Sequence, residues 1–316
     1  MTDTVLLKPA EFSVDTAPAR PKGLRGLLRR IRETASVRLL PIMQRAAHAY
    51  VGGERLDDAL VVAARFAAEG MPNTLSYWNS IDASARQVAD EYLASIERMG
   101  GSGLHGYISI KPPALRFDCA LAVELAEKAQ AHGIRLHCDS HGPEVADATC
   151  AMLQAMLQCL PAKNLSTTIP GRWSRSLSDA QWAVERGITV RVVKGEWPDP
   201  SEPNRDAGAG FLEVVDRLAG RARHVAVGSH NVPLAAAAIA RLRAAGTSFE
   251  LELLFGLPMK QSLAWANANR VDVRVYIPYG PGYIPHAINQ LRRRPRIAWW
   301  IIKDLLTFQR RPIRQK

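Results

Sequence analysis

The stretch Val273-Arg274-Val275-Tyr276-Ile277-Pro278-Tyr279-Gly280 decides how this chain is read. It closes a series of short apolar runs, each ending in polar residues and each followed by a helix-like stretch. Working back from it, eight strands are predicted at 73–77, 107–111, 135–139, 165–169, 189–194, 224–229, 249–255 and 271–277. Amphipathic segments lie between them, among them 119–132, 145–160, 177–186, 234–245 and 259–267. Eight strands alternating with helices over roughly 240 residues suit a TIM-type (β/α)8 barrel. An open doubly wound sheet is the rival, but no Gly-rich phosphate fingerprint follows the first strand. Ahead of the barrel, residues 1–22 with Pro9, Pro18 and Pro21 read as a flexible leader, and 23–70 as a helical N-terminal extension. Residues 71–316 then form the barrel, with a terminal helix over 299–306.

Composition bounds the function. At 316 residues and 47% hydrophobic content the chain can bury a large core. Its apolar runs are short and broken by charge, so no transmembrane helix is expected. Asp3, Lys8, Glu11 and Asp15 leave no room for the apolar region of a secretory leader. The net charge of +11 gathers near the two ends, and no nucleic-acid motif accompanies it. The four cysteines have neither CxxC nor zinc-finger spacing. These features predict a reduced, cytoplasmic protein without a nucleic-acid partner; a location peripheral to the membrane is the alternative.

In a barrel, chemistry gathers where strands meet their following loops. The fifth strand ends Arg191-Val192-Val193-Lys194-Gly195-Glu196-Trp197. Alternation puts Arg191 and Lys194 on opposite faces unless the strand ends or bulges near Gly195. A cationic pair there would suit an anionic ligand or an electron-rich reduced flavin. Lys111 at the second strand end needs an anionic partner or solvent, and Asp139 at the third is a candidate. His137, Asp139 and His141 alternate and could converge on a metal with His230, the pattern of a metal-dependent hydrolase. Gly142-Pro143 follows at once and puts His141 in a loop, so no metal site is expected. No Gly-x-Ser-x-Gly elbow supports nucleophilic catalysis.

Taken in order, these strand ends resemble the proline dehydrogenase family, flavoenzymes built on a β/α barrel. Residues 191–197 resemble that family's Arg-x-x-Lys-Gly-Ala-Tyr element, with Glu196 and Trp197 in place of Ala and Tyr. Gly228-Ser229-His230-Asn231 looks like its Thr-His-Asn element. Phe249-Glu250-Leu251-Glu252-Leu253-Leu254-Phe255-Gly256 is similar to Phe-Glu-Phe-Gln-Met-Leu-Tyr-Gly, with Glu252 in place of Gln. The strand ending in Lys111 resembles one whose terminal Lys faces the substrate. The resemblance covers about 70–295. It implies FAD held by Arg191, Lys194, His230, Asn231 and Glu252, with Arg191 and Lys111 the catalytic pair. It also implies a substrate side lined by Lys111, Asp139, Glu196, Trp197, Leu254 and Tyr276, with His286, Asn289 and Gln290 on the last helix.

The pattern breaks after Gly280. Where the family carries two adjacent arginines that grip the carboxylate of proline, this chain has Asn289 and Gln290. His286 replaces a Tyr and Arg293 a Glu. Losing a bidentate arginine clamp weakens the hold on a carboxylate, and Glu196 adds a like charge. Arg292 and Arg293, one turn further on, could reach back. The expected activity is oxidation of proline, or of a related cyclic secondary amine, to an imine. The hypothesis at the break is an amine substrate without a free carboxylate, or with a neutralised one, rather than proline itself. The electron acceptor is left open, a quinone at a membrane surface being one option, and nothing here sets the oligomeric state. The alternatives are a metal-dependent hydrolase using His137, Asp139 and His230, and a barrel that binds a ligand without catalysis.

Overall fold

Short runs rich in Val, Ile and Leu form eight parallel strands: β1 (Asn73–Tyr77), β2 (Gly106–Ile110), β3 (Arg135–Cys138), β4 (Leu165–Pro170), β5 (Thr189–Val193), β6 (His224–Gly228), β7 (Ser248–Leu254) and β8 (Val273–Tyr279). They pair in chain order and close into a barrel. The seam joins β8 to β1, with Thr74 opposite Tyr276 and Tyr77 opposite Tyr279. This is the architecture of a (β/α)8 barrel. The computed structural model describes residues 52–104 and 106–283. The expected leader at 1–22, residues 23–51 of the extension and the terminal helix at 299–306 lie outside the described residues, as do His286, Asn289, Gln290, Arg292 and Arg293.

The helices are α1 (Leu56–Ala68), α2 (Ala85–Gly101), α3 (Cys119–His132), α4 (Ala146–Met156), α5 (Ser176–Glu185), α6 (Ala207–Leu218), α7 (Val232–Ala244) and α8 (Lys260–Ala268). Side chains set their starts. Ser84 and Gln87 form a reciprocal capping box at α2, and Asp118, Asp206 and Asn231 cap α3, α6 and α7. The described part of the N-terminal extension, α1, lies on the barrel at the seam. Its Ala63 carbonyl accepts from Asn73 Nδ2 at 3.0 Å, and Phe66 meets Phe255 edge to face at 5.7 Å.

Alternation along the strands separates two interiors. Leu75, Ile108, Ile110, Leu136, Val190, Val192, Val227, Leu251, Leu253 and Ile277 turn outward and are buried under the helices. Each such side chain contributes roughly 1.5–3 kcal/mol to the fold. The barrel lumen is different in kind. A barrel of this type is ordinarily filled by branched apolar side chains; here the buried lumen residues include Thr74, Ser76, Ser109, His137, Arg191, Glu250, Glu252 and Arg274. Buried polar groups must find partners inside. At the N-terminal end Arg274 meets Glu250 through two contacts, Nε–Oε1 at 2.7 Å and Nη2–Oε2 at 3.1 Å. Tyr107 lies beneath the guanidinium groups of Arg135 and Arg274, 4.4 and 4.8 Å from its ring centroid. This charged base closes one end, and the chemistry lies at the other.

Candidate active site

The C-terminal mouth is built by strand ends. Pro112 follows Lys111 and holds it extended (φ −101°, ψ 101°), so the alternation of β2 continues one residue further and Lys111 enters the lumen. It is 8% exposed. Its Nζ donates to Ser76 Oγ at 2.5 Å and to the Tyr77 carbonyl at 2.9 Å, and lies 4.5 Å from the Trp78 ring centroid. Asp139 Oδ2 is 3.8 Å away. Asp139 continues the ladder beyond β3, its N–H donating to the Ile110 carbonyl at 2.9 Å.

Arg191 projects from β5 beneath this pair and is 6% exposed. Its Nη2 meets Asp139 Oδ1 at 2.5 Å, its Nη1 meets Glu252 Oε1 at 3.4 Å, and its Nε donates to Thr168 Oγ1 at 3.1 Å. The guanidinium also lies 4.9 Å from the Tyr276 ring centroid. The Tyr276 hydroxyl is 2.6 Å from Ser76 Oγ and 2.9 Å from Asp139 Oδ2. The phenol has a single proton, which it can give to either oxygen, and Ser76 Oγ also accepts from Lys111. The result is one connected polar network of Lys111, Ser76, Tyr276 and Asp139.

Electrostatics follow from this packing. Burial pulls the Lys111 ammonium down to about 8, with Arg191 adding to the effect and Asp139 opposing it. Burial works against the Asp139 carboxylate, yet Arg191, Lys111 and His137 outweigh it and hold its carboxyl well below the ordinary range. Burial raises the Glu252 carboxyl although Arg191 and Arg274 pull the other way. Burial and Asp139 push the Tyr276 phenol far above its usual range, so it stays protonated.

The sequence-predicted residues divide into two sets. Lys111, Asp139, Arg191, Glu252 and Tyr276 converge on one cluster, and Leu254 is half-buried at the end of β7 beside it. Others lie elsewhere. β5 ends at Val193 and Gly195 takes φ +92°, so Lys194 sits exposed at the start of the loop. On that loop Glu196 is exposed, with its carbonyl accepting from Arg172, and Trp197 is 47% exposed. Both ring nitrogens of His230 serve the backbone: Nε2 accepts from the Leu254 N–H at 2.9 Å and Nδ1 donates to the Pro258 carbonyl at 3.2 Å. Asn231 caps α7 by accepting from the Leu234 N–H. His137 holds Ser166 and Thr168 at 2.9 and 2.7 Å. The nitrogens that the hydrolase alternative needs are therefore already engaged. Sequence reasoning missed Ser76 and Thr168, whose only signal is their alternation with outward Leu75 and Ile169.

The mouth also bears on a flavin. Beyond His224 at the base, the lumen positions of β6 are Ala226 and Gly228, so no side chain longer than a methyl rises from β6 beside Arg191. A Cβ at Gly228 would approach Val193 Cγ1 to 2.9 Å and Arg191 Cδ to 3.6 Å. A small-residue floor next to a buried cation fits a planar, electron-rich ring.

Residues 68–294 match the sequence profile of the Proline dehydrogenase family. The chain belongs to the proline dehydrogenase family. Proline dehydrogenase of Deinococcus radiodurans is 23% identical over 285 residues, 84% of this chain and 91% of that protein. Proline dehydrogenase 1 of Bacillus subtilis is 23% identical over 281 residues, 82% and 90% of the two chains. Among solved structures, proline utilization A of Bdellovibrio bacteriovorus, inactivated by N-propargylglycine, superposes with a TM-score of 0.67 at 17% identity, over 83% of this chain. The same protein of Bradyrhizobium japonicum gives 0.67 at 19% identity over 90%. This chain spans about a third of the length of those proline utilization A proteins, which share its fold. As a member of the proline dehydrogenase family it is an oxidoreductase of a flavoenzyme family. No helix among the described residues is long and apolar enough to cross a membrane.

Proposed function

We propose that this chain binds FAD at the C-terminal mouth of its barrel and oxidises proline, or a related cyclic secondary amine, to the imine. The observation that carries the reading is the convergence of Lys111, Asp139, Arg191, Glu252 and Tyr276 from five strand ends onto one buried cluster. FAD, when bound, accepts the hydride that leaves the carbon next to the substrate nitrogen. The residues of the chain prepare the substrate for that loss. The nitrogen must present a free lone pair, so the site has to disfavour the ammonium form. The cations of Lys111 and Arg191 do so, while Asp139, which alone would favour the ammonium, is engaged by Arg191 and Tyr276. Arg191, held by Thr168, would supply a positive charge to the bound cofactor.

A carboxylate-free amine is the second reading. It is favoured by the matching of Lys111 to Asp139 and of Arg191 to both Asp139 and Glu252, which leaves neither cation of the mouth unbalanced. Asn289 and Gln290 point the same way. The test is the absorption spectrum of the purified protein before and after anaerobic addition of proline and of pyrrolidine. Bleaching by proline supports the first reading, and bleaching by pyrrolidine alone supports the second. A protein that retains no flavin after incubation with FAD contradicts both. Reoxidation by a quinone is the companion proposal, tested by turnover with a soluble quinone analogue.

A further inference from the structure

Two carboxylates compete for one guanidinium at the centre of the lumen. Asp139 takes the closer contact to Arg191 at 2.5 Å and Glu252 the longer one at 3.4 Å. Glu252 is 6% exposed. The groups around it come from several strands. Arg191 faces it from β5, and Arg274, its register partner, from β8. Glu250 lies on its own strand, and the Thr74 hydroxyl approaches from β1. Beyond Arg191 stand Asp139 and His137 of β3 and Lys111 after β2. Next door on β6, His224 faces Glu250 at 3.4 Å, and Ala226 and Gly228 lie opposite Glu250 and Glu252 in the strand register. The mouth cluster therefore holds two cations, Lys111 and Arg191, against two anions, Asp139 and Glu252. A neutral amide of the same shape at position 252 would leave it one positive charge in excess.

We infer that Glu252 is a positioning residue that acts through Arg191 to hold down the reduction potential of the bound flavin and to couple a proton to its reduction. This rests on the proposed binding of FAD at the mouth. Reduction adds negative charge there, and a buried carboxylate on the same guanidinium opposes it. The added charge raises the proton affinity of Glu252 in return, because the coupling between the two is reciprocal. Burial already raises the proton affinity of this carboxyl, although Arg191 and Arg274 pull the other way.

The experiment is a spectroelectrochemical titration of the flavin in the wild-type protein and in Glu252→Gln. At a fixed applied potential near neutrality, Glu252→Gln should hold about tenfold more of its flavin reduced, a shift of about 30 mV for a two-electron couple. In the wild type the potential should fall more steeply with pH across the titration of Glu252 than above it. The extra slope approaches about 30 mV per pH unit, one added proton per two electrons, and it should vanish in Glu252→Gln. A yellow variant with an unchanged potential overturns the inference and leaves the flavin reading intact. A wild-type protein that takes up no FAD overturns the flavin reading and the inference with it. Should Glu252→Gln fail to fold, the wild type decides alone: a uniform slope across the whole pH range in which it stays folded overturns the inference.

Discussion

Replacing Asp139 by Asn removes the one anion that touches three partners of the mouth. The carboxylate lies 2.5 Å from Arg191 Nη2, 2.9 Å from the Tyr276 hydroxyl and 3.8 Å from Lys111 Nζ. Asn keeps an acceptor for Tyr276 but sets its amide or a neutral oxygen against Arg191. Two buried cations are then left with Glu252 as the remaining anion of the cluster. Breaking a buried ion pair on one side costs roughly 3–5 kcal/mol. The Asp139 side chain is 16% exposed, which argues for the lower part of that range. At roughly 2–4 °C per kcal/mol for a domain of this size, the unfolding midpoint should fall by about 6–15 °C at neutral pH. The pH dependence supplies the sharper test. Asp139 titrates lower in the folded than in the unfolded chain. Its contribution is therefore present above the unfolded value, about 4, and is lost as pH falls below it. The gap between wild type and Asp139→Asn, followed by circular dichroism, should shrink steadily on acidification below about pH 5. Equal stability at neutral pH, or a gap unchanged down to about pH 3, would refute the argument that Asp139 is the ionised hub of the cluster.

Three further outcomes are expected. Lys111 titrates near 8, so kcat/KM for an amine substrate should carry a pKa close to that value, and Lys111→Met should remove it; a profile unaltered by the substitution would place the titration elsewhere. At the base of the barrel, burial opposes the Glu250 carboxylate while His224 and Arg274 outweigh it and hold it down to about 2. Glu250→Gln should cost roughly 3–5 kcal/mol of stability by urea unfolding, yet leave the spectrum of bound flavin unchanged. His230→Ala leaves the Leu254 N–H without its acceptor and should cost roughly 1–3 kcal/mol. That loss should appear in the flavin-free protein as well, and a variant impaired only in flavin retention would contradict the backbone role of His230.

The fold was legible because parallel strands buried on both sides leave unbroken apolar runs, and the turns between them carry Gly and Pro. The ends were harder to place. β8 runs through Tyr279 because the ladder to β1 continues past Pro278, whereas residues 271–272 follow a turn in which Arg270 takes φ +52°. Within the site, the charged members stood out since Lys, Arg, Asp and Glu at inward positions demand partners. Ser76 and Thr168 did not, because a buried hydroxyl leaves no periodic trace and gains its role only from what the barrel brings beside it. His230 and Asn231 were legible as polar residues at a strand end. That their polar atoms serve the Leu254 N–H, the Pro258 carbonyl and the start of α7 follows only from the fold in three dimensions.

The most direct test of the central claim is an anaerobic single-turnover experiment on the FAD-loaded protein, with wild type and Lys111→Met mixed in parallel with proline and with pyrrolidine. Loss of the oxidised flavin absorbance is expected in the wild type with at least one of the two amines, and reduction should be slowed by at least about a hundredfold in Lys111→Met. Flavin that stays oxidised with both amines, or a Lys111→Met protein reduced as fast as the wild type, would contradict that claim.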